Sequence, residues 1–121
     1  MAYIEGFVVP VPESARAAYE EHSAKTSALL TACGAQQVVQ CWGADVPDGK
    51  VTDFYRAVAA KPGEIIVFAW IVWPSKAARD AGIKKAMADP AMRPGAMALP
   101  FDSQRMIYGG FDKIFDSMED A

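Results

Sequence analysis

Glu64-Ile65-Ile66-Val67-Phe68-Ala69-Trp70-Ile71-Val72-Trp73 decides how the rest of the chain is read. Its β-branched and aromatic residues predict a strand, yet apolar and polar positions do not alternate. Successive side chains of a strand point to opposite faces, so after Glu64 both faces are apolar and both need cover. Pro74 ends the strand, and Ser75 is placed to cap a helix that runs to about Ala88, before Asp89-Pro90. The expected buried edge of that helix is Ala78, Gly82 with Ile83, and Ala86 with Met87, mostly small residues that permit close approach to a sheet.

Toward the N-terminus, Tyr3 to Val9 predicts a first strand that stops at Pro10-Val11-Pro12, because proline cannot donate to a ladder. From Glu13 to Cys33 the period changes: Ala15, Ala18 or Tyr19, His22, Thr26, Leu29 and Cys33 recur at three- and four-residue steps, one stripe of a helix. Glu21 and Lys25 support it as an (i, i+4) pair, and Gly34 is its stop. Ala35 to Trp42 reads as a second strand, with Gln36, Val38, Gln40 and Trp42 on one face and Gln37, Val39 and Cys41 on the other. Residues 43–63 form a long connection in which Thr52 could cap a short helix, Asp53 to Ala59, anchored by Phe54 and Val58. After a proline- and methionine-rich loop, Ala91 to Ser103, a last strand is expected over Gln104 to Phe111.

The order is β-α-β-β-α-β, so the expected fold is α+β, ferredoxin-like: a four-stranded antiparallel sheet with two helices on one face. Residues 1–115 form the single domain and 116–121 an acidic C-terminal tail. Two helices can cover only one face of the central strand. A second copy packed sheet to sheet is the simplest closed cover for the other, giving a homodimeric α+β barrel. The alternative is that the 43–63 connection or the tail folds across that face.

Composition excludes several classes of function. The 121 residues carry 12 basic and 15 acidic side chains, a net charge of −3, and no basic surface of the kind a nucleic-acid partner requires. No apolar run has the ~20 residues of a membrane span, and Met1 to Gly6 lacks a signal peptide's character, so no membrane partner and a cytoplasmic location are expected. With one histidine and two cysteines, no metal and no cofactor is expected. Cys33 and Cys41 read as small buried hydrophobes. Asp45, Asp48 and Asp53 lack the ligand spacing of a calcium loop.

Several stretches resemble one family closely. Cys41-Trp42-Gly43-Ala44-Asp45-Val46-Pro47-Asp48-Gly49-Lys50-Val51-Thr52-Asp53-Phe54 looks like the signature of the YbaA-like family of small bacterial conserved proteins. So do Trp73-Pro74-Ser75-Lys76, Asp89-Pro90-Ala91-Met92 and Phe101 to Phe111, which together span the chain to about Ile114. That family is similar to the dimeric α+β barrel proteins, which implies two ferredoxin-like subunits packed sheet to sheet. It implies no catalytic residues, because no activity is attached to it.

Candidate chemistry is sparse. His22, on the inner stripe of the first helix beside Tyr19 and Thr26, reads either as a general base at the head of a pocket between helices and sheet or as a structural histidine. Glu5, inside the first strand, needs a partner, and Arg105 of the last strand is the expected one. Trp42, Trp70 and Trp73, with Phe7 and Tyr108, could line an aromatic pocket or belong to core and interface. The expected ligand-binding set is therefore Tyr19, His22, Trp42, Trp70, Arg105 and Tyr108, with His22 and Glu5 as candidate catalytic groups. The leading reading is a homodimer binding a small apolar or aromatic ligand between helices and sheet. A cofactor-independent oxygenase or isomerase of an aromatic or polyketide-like compound, and a protein-interaction module, are the alternatives, and whether the chain is an enzyme stays open.

Overall fold

The computed structural model describes residues 2–92 and 99–119. Part of the expected 91–103 loop and Asp120 of the tail lie outside the described residues. The strands are β1 (Tyr3–Pro12), β2 (Gln37–Trp42), β3 (Glu64–Trp73) and β4 (Ile107–Asp112). Every pairing is antiparallel and the sheet order is β2-β3-β1-β4, the arrangement expected of a split β-α-β. The helices are α1 (Arg16–Ala32), the single turn α2 (Phe54–Ala57) and α3 (Lys76–Met87).

β1 runs through its prolines instead of stopping at them. Its ladder with β4 ends at Val8↔Ile107, whereas pairing with β3 continues to Pro12↔Glu64. Beyond Val8 that edge has no neighbour in β4, so prolines there cost no ladder bond on that side. β4 begins later than expected: Ser103–Arg105 form a 3-10 turn closed by Asp102, whose carboxylate accepts from the Gln104 N–H.

α1 starts behind a 3-10 turn, Glu13–Ala15, and stops at Gly34, whose φ of 115° is the left-handed region that glycine tolerates best. Ser75 caps α3 as expected by accepting from the Ala78 N–H at 3.1 Å. α2 is capped one residue later than expected, by Asp53, which accepts from the Arg56 N–H at 2.8 Å. Gly82 sets the depth of α3. A Cβ there would stand 2.5 Å from the Trp73 ring and 2.7 Å from the Cys33 carbonyl oxygen, so only glycine lets α3, the end of α1 and Trp73 meet. Met87, expected inside, is exposed.

The register sorts the strands into two faces. Val67, Ala69, Ile71 and Trp73 of β3, with Val9 and Val11 of β1, are buried and form the cores beneath α1 and α3 with Tyr19, Leu30 and Ala86. Ile66, Phe68, Trp70 and Val72 point the other way, alongside Ile4 and Val8. The long connection roofs one end of this second face: Val58 is buried against Val8 and Ile66, with Val46, Tyr55 and Ala60 packed around them. At that end the alternative expectation, that the 43–63 connection folds across this face, is the one met, and a second copy is not needed to cover it. Farther along, Phe68 is 46% exposed and Phe111 59% exposed. There the sheet and the start of the tail enclose an open apolar concavity of about 940 Å³.

Candidate functional site

On the helix side, α1 and β2 leave a groove of about 490 Å³. Helical spacing puts Arg16, Tyr19 and Ser23 on the wall made by α1, and strand alternation puts Gln40 and Trp42 on the wall made by the sheet. Tyr19 is the hinge of this arrangement. It is buried, it packs against Val9, Val11 and Val67, and its hydroxyl donates to Gln40 Oε1 at 2.7 Å. Its ring also lies 6.2 Å from that of Trp42 and 5.7 Å from that of Phe101. His22 joins the cluster with its ring 6.0 Å from Tyr19 and 5.5 Å from Phe101.

Burial governs the protonation of both titrating groups. It pushes the Tyr19 phenol up to about 12, so the hydroxyl keeps its proton and remains a donor across the physiological range. The nearby Ser23 hydroxyl acts in the opposite direction, although among the described residues it has no partner in hydrogen-bonding geometry. Burial holds His22 below the usual imidazole value, so it is neutral at pH 7. At the mouth, Arg16 lies 5.5 Å from the centre of the Trp42 ring and pairs with Glu20 at 3.3 Å, both side chains being well exposed. Among the described residues no group of three or more His, Cys, Asp or Glu is arranged to hold a metal ion, and no helix is long and apolar enough to cross a membrane.

A family model described as a protein of unknown function, DUF1428, matches residues 2–103. This chain belongs to the DUF1428 family. Its relatives include the uncharacterized protein YbaA of Escherichia coli K12 and that of Shigella flexneri, each 52% identical over 116 residues, 96% of this chain and 99% of the relative. The resemblance carried by the Cys41–Phe54 stretch is thereby confirmed. Among solved structures, Rv0793 from Mycobacterium tuberculosis superposes with a TM-score of 0.50 at 12% identity, covering 97% of this chain and 99% of that one. A likeness at that identity supports the α+β fold and nothing finer.

Within this DUF1428 chain the expected site residues divide. Tyr19 and Trp42 line the groove, whereas His22 packs against Tyr19 and Phe101 without forming part of its wall. Trp70 lies on the other side of the sheet, its ring 5.8 Å from Phe68. Tyr108 sits on the edge strand and is 73% exposed. Arg105 belongs to the 3-10 turn before β4, and its expected pairing with Glu5 does not form. Its guanidinium grips Glu64 through two bonds of 2.6 Å and also donates to the Ala59 carbonyl, tying the turn to the end of the long connection. Glu5 instead accepts from Trp73 Nε1 at 2.8 Å and from Arg79 Nη2 at 2.9 Å. The physical reason is register: Glu5 stands opposite Ile71 in β3 and Gly110 in β4, whereas Arg105 lies in the turn before β4 begins.

The expected set lacked Arg16, Ser23 and Gln40 of the groove, and Phe101, which packs on Tyr19 outside the groove wall. Gln40 carried a signal, since alternation places it on the Trp42 face of β2 (a polar residue beneath a helix). Ser23 is one turn beyond Tyr19 and could have been found by helical spacing. Phe101 lies in a segment without period and gave none. Cys41, expected to be buried, is exposed on the second face of the sheet.

Proposed function

We propose that this chain works as a homodimer, joined through the unroofed faces of its sheets, whose protomers each bind a small apolar or aromatic molecule in the groove between α1 and the sheet. The single observation that carries the binding reading is the groove itself. It combines two aromatic rings, those of Tyr19 and Trp42, with a fixed Tyr19–Gln40 hydrogen bond at a volume of about 490 Å³, within the range of ligand pockets. Dimerisation is supported by the exposed cluster of Phe68, Ile107 and Phe111, a patch that a second copy would bury. A cytoplasmic setting is supported by two free cysteines.

A thermal-shift screen of small aromatic metabolites tests the binding reading, because a ligand that binds only the folded state raises the melting temperature. Hits are expected to lose their effect in Trp42→Ala. A flat response across a broad panel overturns the reading.

One observation favours a catalytic reading as runner-up. His22 is neutral, the form a general base requires, and its ring lies 6.0 Å from that of Tyr19, which lines the groove. In that case His22→Gln removes turnover of a bound phenol or acidic C–H compound while leaving its binding intact. Glu5 is a poorer base, since Trp73 and Arg79 occupy both of its oxygens.

A further inference from the structure

The hydrogen-bonding sense of the groove is set by Tyr19. The Tyr19 phenol keeps its proton, and its hydroxyl donates to Gln40 Oε1 at 2.7 Å. That contact fixes the orientation of the Gln40 amide and commits its oxygen. The amide nitrogen is left as the group offered to the groove, with no protein partner among the described residues. The Ser23 hydroxyl is buried on the same wall and likewise reaches no partner in hydrogen-bonding geometry among the described residues. A buried polar group without a partner is uncommon and asks for one.

Charge adds to the donors. Arg16 is held at the mouth only by an exposed pair with Glu20 and by the face of Trp42. Exposed pairs of this kind contribute little, so the guanidinium can turn to a better acceptor at small cost. A carboxylate is that acceptor: it accepts from Arg in a charge-assisted bond and from an amide nitrogen and a hydroxyl as well. The rings of Trp42 and Tyr19 supply flat apolar surface beside these donors.

We propose that the groove selects a small aromatic carboxylate, its ring against Trp42 and its carboxylate oxygens accepting from Gln40 Nε2, Ser23 Oγ and Arg16. This rests on the reading of the groove as a ligand pocket and names the class of molecule that pocket takes. No bond is made or broken in the binding step.

Benzoate, benzamide and benzylammonium test it as probes of one ring with three different head groups. Each is titrated into the full chain while the side-chain amide of Gln40 and the indole N–H of Trp42 are followed by nitrogen-15 NMR. Benzoate is expected to move both signals and to bind about tenfold more tightly than benzylammonium, with benzamide between them. Arg16→Met, a change at the exposed mouth, should erase the preference for benzoate over benzamide. Gln40→Glu keeps an acceptor for Tyr19, and so keeps the fold, but replaces the offered donor by a second acceptor; benzoate affinity should fall about tenfold or more. Benzylammonium binding as tightly as benzoate, or benzoate binding undiminished in Gln40→Glu, overturns the assignment of ligand class while leaving the pocket in place. If none of the three probes moves either signal and the thermal screen is also flat, the pocket reading falls with it.

Discussion

Val67, Ala69, Ile71 and Trp73 on one side of β3, and Ile66, Phe68, Trp70 and Val72 on the other, are similarly apolar. The first four are all buried, whereas of the second four only Ile66 is. The difference lies in what reaches each side. α1 and α3 lie over the first, Gly82 allowing α3 to settle onto Trp73. The second receives no helix of α1's or α3's length among the described residues: the long connection contributes Val58 at the Ile66 end and reaches as far as Phe54, in edge contact with Phe68, and the start of the tail borders the open remainder. Apolar character in a strand thus states that cover is needed, and the connectivity decides how much of it one chain can provide.

Substitutions along β3 and its covers break this comparison at different points. The largest loss is expected from Trp73→Ala. The ring is fully buried between α3 and the sheet and its indole N–H holds Glu5, so removal should cost about 3–5 kcal/mol. Chemical denaturation at several protein concentrations checks this, and the loss should be the same at each. Val58→Ala removes the centre of the roof over Ile66 and should cost about 1–2 kcal/mol, again independent of concentration. Phe68→Ser, on the unroofed side, should leave the fold of each protomer intact and make stability depend less on concentration.

The smallest expected effect is on pH dependence and separates the His22 cluster from the Arg105–Glu64 pair. The folded chain holds His22 below its ordinary 6.5 through burial, so stability should be complete above that value and decline as pH falls through the imidazole's lowered folded value. Glu64 is held below its ordinary 4.5 chiefly by its hydrogen bonds to Arg105, so its contribution is present above 4.5 and lost on further acidification. His22→Gln should flatten only the first decline and Arg105→Met only the second, as read from melting temperatures between pH 3 and pH 8, roughly the span in which these groups titrate.

Much of this architecture is legible in the residues. The helix stripes, Gly34 and the Ser75 cap follow from local rules, and the order of elements gives the sheet. Long-range choices are less so. Arg105 could face Glu5 or Glu64 as far as charge goes, and only the register, with β4 beginning at Ile107, sends it to Glu64. Pro10 and Pro12 read as a strand end because their tolerance depends on where β4 stops pairing. Part of the groove was visible, through Tyr19 and Trp42, with His22 packed against Tyr19. Gln40 was not singled out, because a polar residue in a strand looks like surface until a buried phenol is found to need its carbonyl oxygen.

The central claim is that the unroofed half of the sheet is covered by a second copy of this chain. Sedimentation equilibrium on the full chain, from low micromolar upward, tests it most directly. A particle of twice 13.0 kDa, about 26 kDa, is expected, shifting toward the monomer in Phe68→Ser. A single species of 13.0 kDa throughout that range would contradict it.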